Sequence, residues 1–272
     1  GGSSLLDDSY SVWEWDGNRW EKSDGGNGPI PPHSVDDAMI YDPNRGVSQL
    51  LHGAWREGPC MQVWEWDGET WMHREDRDLP WGPELSAAAY DRSLGVTRVF
   101  GGRTYGEQVA TIVPTDDLWG LNPDGWIRVE SGALARRYGH AMAYDEYRGV
   151  TVLFGGNGTN ADPVGTVTWV WNGSQWMSRA DWGPIVRVGY AMSFDANAGV
   201  TLLFGGGYSL PYSDPALWEW DGRTWYPRTA SGPSARGGHA LVFDSRRRVT
   251  VLFGGQNNWE ALGDTWEWDG LQ

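Results

Sequence analysis

The sequence predicts an all-β fold built by radial repetition of four-stranded antiparallel units, and three observations predict it. A tryptophan-rich segment recurs about every 50 residues, a period that marks a repeat architecture. Upstream of each copy sits a pair of aliphatic segments ending in glycines. Thirty-nine glycines and 20 tryptophans in 272 residues suit many short strands joined by tight turns, not helices.

The tryptophan segment reads VWEWDGNRW at 12–20, VWEWDGETW at 63–71, TWVWNGSQW at 168–176 and LWEWDGRTW at 217–225. A degraded copy, LWGLNPDGW, lies at 118–126 and a shortened one, TWEWDG, at 265–270. Asp-Gly or Asn-Gly between aromatic strand formers predicts a hairpin with a two-residue type I′ turn. With Asp16-Gly17 as that loop, Trp15 faces Asn18 and Trp13 faces Trp20, and the other copies follow. Trp13, Trp15 and Trp20 then share one face, which a neighbouring repeat must cover, while Glu14, Glu65 and Glu219 point the other way.

The upstream element reads RYGHAMAYDEYRGVTVLFGG (137–156), RVGYAMSFDANAGVTLLFGG (187–206) and RGGHALVFDSRRRVTVLFGG (236–255), with drifted copies at 34–54 and 85–102. Apolar runs broken by an Asp-containing turn predict two antiparallel strands. Asp42, Asp91, Asp145, Asp195 and Asp244 end the first of these strands as turn formers, and their repetition excludes them as catalytic acids. The order within a unit is strand a, turn, strand b, Gly-Gly, loop, strand c, Asp-Gly, strand d. Four antiparallel strands stacked through an aromatic face predict a β-propeller.

The Phe-Gly-Gly ending strand b, with a tryptophan some way downstream, resembles the kelch repeat across essentially the whole chain. The WxWDGxxW variant resembles kelch proteins of bacterial secreted or surface type, which implies an extracellular or cell-surface location. One domain spans 1–272: a partial unit at 1–32, units at 33–84, 85–135, 136–185 and 186–234, and a truncated unit at 235–272. Those strands fall between the needs of five and six blades. The terminal blade is therefore either incomplete or closed by pairing N-terminal strands 10–21 with 238–255.

A net charge of −15 disfavours nucleic acid and anionic membranes as partners. Cys60 is the single cysteine, so no disulfide framework or cysteine metal cluster exists. No apolar run approaches the roughly 20 residues of a membrane-spanning helix, so no membrane insertion is expected.

Because loops carry function in propellers, the b–c loops are the first candidate surface. They hold Trp55 and Arg56; Arg103 and Tyr105; Asn160; Tyr208 and Tyr212; and Asn258 and Trp259. Aromatic planes beside amides suit sugar rings, which stack by their C–H faces and hydrogen-bond by their hydroxyls. A second cluster opens strand a: Arg137 with His140, Arg187 with Tyr190, and Arg236 with His239. Converging on the channel mouth, these would suit a carboxylate or phosphate. Alternatively, arginines at a fixed repeat position tie neighbouring blades.

The kelch resemblance also admits an oxidase, but Cys60 lacks the tyrosine and paired histidines that a galactose-oxidase copper site needs. The five histidines show no metal spacing, so no cofactor is expected. Asn157-Gly158-Thr159 is a glycosylation sequon, and Asn172-Gly173-Ser174 is better explained as a turn. The expected function is noncatalytic binding of a protein or glycan through the b–c loop face. The alternatives are a building block that self-assembles through its terminal strands and, last, an oxidase or lyase.

Overall fold

The computed structural model describes residues 11–23, 29–32, 37–54, 60–75, 78–79, 83–105, 112–130, 132–159, 165–180, 182–207, 215–228 and 232–271. Its named elements are all strands. β1 (Val12–Trp15) and β2 (Trp20–Ser23) form a hairpin. β3 (Ala38–Asp42), β4 (Val47–Ala54), β5 (Cys60–Trp66) and β6 (Trp71–His73) make the first four-stranded sheet. Next come β7 (Ala87–Asp91), β8 (Val96–Phe100), β9 (Arg103–Tyr105), β10 (Ile112–Pro114), β11 (Leu118–Asn122) and β12 (Gly125–Glu130). Of these, β9 and β10 form a small loop hairpin and the other four make the second sheet.

The third sheet is β13 (Ala141–Asp145), β14 (Val150–Phe154), β15 (Thr168–Trp171) and β16 (Trp176–Ala180). The fourth is β17 (Tyr190–Asp195), β18 (Val200–Gly205), β19 (Leu217–Trp220) and β20 (Trp225–Arg228). The chain ends with β21 (Ala240–Asp244), β22 (Val249–Phe253), β23 (Gln256–Asn257), β24 (Glu260–Ala261) and β25 (Thr265–Trp268). β21, β22 and β25 make a three-stranded fifth sheet, and β23 pairs with β24. All pairings are antiparallel, and strands β3, β7, β13, β17 and β21 stand beside one another in that order. The chain is thus a β-propeller of five blades, with the β1–β2 hairpin in addition.

The tryptophan hairpins turn one residue later than expected. Trp15 pairs with Trp20, Trp66 with Trp71, Trp171 with Trp176 and Trp220 with Trp225, so Trp13 faces Lys22 instead of Trp20. Only the glycine of each loop takes positive φ, as at Gly17 (98°) and Gly222 (94°). That is the signature of a type II′ turn with glycine first. The reason is the aspartate ahead of it: Asp16 Oδ1 accepts from the backbone N–H groups of Asn18 and Arg19, at 2.7 and 2.8 Å, and so stays outside the turn. Asp67, Asn172 and Asp221 repeat the arrangement. The aspartates ending strand a behave as the sequence predicts, each accepting from backbone N–H groups two and three residues on.

The third and fourth blades each pack on the one before through the tryptophan that opens strand d. Trp176 lies on Phe100 with centroids 5.3 Å apart, and Trp225 on Phe154 at 5.4 Å. The Trp225 indole N–H also donates to Thr168 Oγ1 at 2.7 Å. Two of the three glutamates on the opposite face are covered as well, while Glu14 is exposed. Glu65 and Glu219 are buried, Glu65 against the guanidinium groups of Arg45 and Arg74 and Glu219 against Arg228.

The β1–β2 hairpin meets the fifth blade through this side-chain contact and not through backbone pairing in one sheet. Trp20 of β2 lies on Phe253 of β22 at 4.5 Å and donates to Thr265 Oγ1 at 2.8 Å, while Trp15 donates to Glu267 at 3.0 Å. On its other side, β1 receives the Trp66 indole N–H on Glu14 at 3.2 Å. The β1–β2 hairpin is therefore the outer half of a sixth sector, set between the fifth blade and the first. Among the described residues it shares no sheet with either.

Trp225 is fully buried, so Trp225→Ala is expected to cost about 3–5 kcal/mol of stability. Thr168→Val, which strands the indole N–H, should cost about 1–3 kcal/mol. Urea unfolding measures both, and a loss below 1 kcal/mol in the first variant would contradict the packing scheme.

Candidate functional site

Two surfaces carry candidate chemistry, and the strand-a cluster is absorbed into the scaffold: the Arg137 and Arg236 side chains bond within their own blades, while the ring residues pack on the blade before. Arg137 is buried, and its guanidinium donates to the carbonyls of Ala135 at 3.1 Å and Gly155 at 3.3 Å. Arg236 is buried likewise, donating to Ser234 and Gly254 carbonyls and forking onto Asp264 at 2.5 and 2.8 Å. That fork, together with the Trp266 indole N–H, holds the Asp264 carboxyl well below the usual carboxylate range.

The ring residues face the preceding blade. His140 meets Phe100 edge-on at 5.5 Å, Tyr190 meets Phe154 at 5.9 Å, and His239 meets Phe204 at 5.4 Å. The backbone closes the same junction. Gly102 N–H donates to the Arg137 carbonyl at 2.8 Å, Gly156 to Arg187 at 2.9 Å and Gly206 to Arg236 at 3.0 Å. The paired glycines are needed for this approach: a Cβ on Gly205 would stand 2.3 Å from the Arg236 carbonyl oxygen and 2.6 Å from the His239 ring. A further backbone chain crosses the blades at the mouth, from Gly139 to Leu85, Gly189 to Gly139 and Gly238 to Gly189.

On the b–c loop face, the residue after each glycine pair bridges back to the start of strand a, as Glu84 with Arg103, Tyr138 with Asn157 and Gly237 with Gln256. Side chains extend the first two bridges into a row across two blades. The Arg103 guanidinium pairs with Glu84 at 3.5 Å and lies over the Tyr138 ring at 5.4 Å, and the Asn157 amide donates to the Tyr138 hydroxyl at 3.0 Å. Asn157, the sequon residue, is exposed. Glu84 and Tyr138 went unnoticed in the sequence, although each follows by one residue the position that Arg137 and Arg236 mark elsewhere.

The fifth blade carries the other notable feature. β23 and β24 pair through Gln256 with Ala261 and Asn257 with Glu260, leaving Asn258 and Trp259 as a two-residue loop. Both take positive φ, 48° and 68°, and Trp259 is 76% exposed. Asparagine tolerates that region, but a tryptophan there is strained by about 1–2 kcal/mol. Of the remaining loop candidates, Trp55, Arg56, Asn160, Tyr208 and Tyr212 lie outside the described residues, and Tyr105 is described in backbone only.

Among the described residues, no three His, Cys, Asp or Glu side chains gather as a metal set, and no helix is long and apolar enough to cross a membrane. Compared with known families and with curated proteins, the chain matches neither a family model nor a curated protein.

Burial, followed by the charge of Arg137, pushes His140 down to about 3, and burial with the charge of Arg236 does the same to His239. In the unfolded chain both titrate near 6.5. Between those values the unfolded state binds more protons, so stability is full above pH 6.5 and falls as the pH drops toward 3. Each histidine contributes on the order of 1.4 kcal/mol per pH unit well inside that window. Tyr190 fills the same position, so replacing both histidines by tyrosine is expected to flatten the change in urea midpoint between pH 7 and pH 5. An unaltered slope would contradict the assignment.

Proposed function

We propose that this chain is a noncatalytic propeller of kelch type, secreted or displayed at a cell surface, that captures a protein or glycan partner on its b–c loop face. The observation that carries this reading is Trp259, an indole held in strained backbone at an exposed hairpin tip. Beside it stand the amide side chains of Gln256, Asn257 and Asn258, the combination a sugar ring or a polar protein surface would engage. The row from Glu84 to Asn157 offers a second polar and aromatic patch on the same face. The repeat-periodic arginines and histidines support the noncatalytic reading, because the Arg137 and Arg236 guanidinium groups are taken up by carbonyls of their own blades and the His140 and His239 rings are buried against the phenylalanine of the blade before.

Trp259→Ala is expected to weaken partner capture at least tenfold while leaving the thermal midpoint unchanged, since the exposed indole covers no core and alanine keeps the Cβ that strains the backbone. Trp55→Ala and Tyr105→Ala extend the test to the other loops. A glycan array and a pull-down from the source organism's surface proteins measure capture. Binding that all three variants leave intact would overturn the proposal.

A further inference from the structure

Among the described residues, β3 and β21 each have another blade's first strand on one side only. Along strand a, alternate side chains face the preceding and the following blade. Met142 and Met192, facing backwards, are 5% and 8% exposed, whereas Met39 at the same position of β3 is 60% exposed. Ala89 and Ala143, facing forwards, are each 6% exposed, whereas Val242 at the same position of β21 is 58% exposed. Tyr41 is exposed beside Met39. The two bare walls, on β21 and β3, flank the sector whose outer half is the β1–β2 hairpin.

Two backbone features agree. β5, β11, β15, β19 and β25 each pair with an inner strand, but among the described residues β1 pairs only with β2. Gly101, Gly155 and Gly205 approach the next blade so closely that a Cβ would lie 2.6, 2.9 and 2.3 Å from its atoms. At Gly254 the nearest atom is the Leu262 carbonyl oxygen of the same blade, at 3.4 Å.

We propose that the space between β21 and β3 is a docking slot for a two-stranded antiparallel hairpin with this repeat's own inner-strand chemistry. Such a hairpin opens with Arg-x-Gly-His or Arg-x-Gly-Tyr, alternates apolar residues around an Asp turn, and ends in Phe-Gly-Gly. Its arginine carbonyl accepts from Gly255, its ring residue covers Phe253, and its second strand adds to the free edge of β1. The interface is continuous with contacts already made, since Trp20 lies on Phe253 as Trp176 and Trp225 lie on Phe100 and Phe154, and Trp66 donates to Glu14 from the other side. A second copy is a poor occupant, because its inner strands are committed to its own blades. The slot is independent of capture at the loop face.

The test places residues 187–204 ahead of Gly1 in the full chain, so that Gly1 and Gly2 follow Phe204 as Gly205 and Gly206 do. Expected are slower amide exchange at Val12–Trp15, at least tenfold slower peroxide oxidation of Met39, and a thermal midpoint raised by several degrees. In parallel, a labelled peptide of residues 187–206 is added to the unfused chain. It should bind, and Val242→Lys should weaken that binding at least tenfold without moving the chain's own thermal midpoint, Val242 being exposed. Absence of both protection in the fusion and binding of the peptide would overturn the proposal. Concentration-dependent dimerisation that protects Met39 without any added hairpin would also overturn it, by giving the slot to a second copy.

Discussion

The fold depends on how closely one blade can approach the next at the Phe-Gly-Gly corner. There the backbone of strand b must come within hydrogen-bonding distance of the following blade's arginine carbonyl while a ring from that blade lies across the phenylalanine. Any side chain at the first glycine would occupy the space of the carbonyl or the ring. The contact is local and repeated, so stability accumulates blade by blade and each junction depends on its immediate neighbours. The tryptophan of strand d adds a second, outer fastening on the same phenylalanine, worth about 0.5–1.5 kcal/mol per aromatic pair beyond its buried area.

Much of this was legible in the sequence because repetition converts local chemistry into architecture. The period gave the blades, the Asp-containing turns gave the a–b corners, and the tryptophan face gave the stacking. The register of the outer hairpin was not legible. Asp16-Gly17 satisfies the rule for a two-residue turn, but the aspartate carboxylate captures two N–H groups ahead of it and moves the turn to Gly17-Asn18. The mode of closure was equally hidden. Counting strands does not distinguish hydrogen bonding of terminal strands within one sheet from Trp20 lying face-on against Phe253.

The strand-a cluster shows why residue type alone misleads in a repeat. Three arginines and three ring residues near a channel mouth have the composition of an anion site. Arg137 and Arg236 instead donate to the carbonyls of the first glycine at the Phe-Gly-Gly corners of their own blades. His140 and His239 are there as flat side chains, interchangeable in role with Tyr190. The signal that separates scaffold from site is departure from the period, and it is local chemistry at such departures that merits functional argument.

Trp259 is such a departure, and folding does not account for it. The base of its hairpin is already fixed by reciprocal backbone hydrogen bonds between Gly237 and Gln256, at 2.9 and 3.1 Å. Asn-Gly would close the same two-residue loop without strain. The indole contributes no burial that would offset a cost of about 1–2 kcal/mol, for it is among the most exposed large side chains described. A strained aromatic that the scaffold neither needs nor covers is the feature on which the proposed capture at the loop face rests.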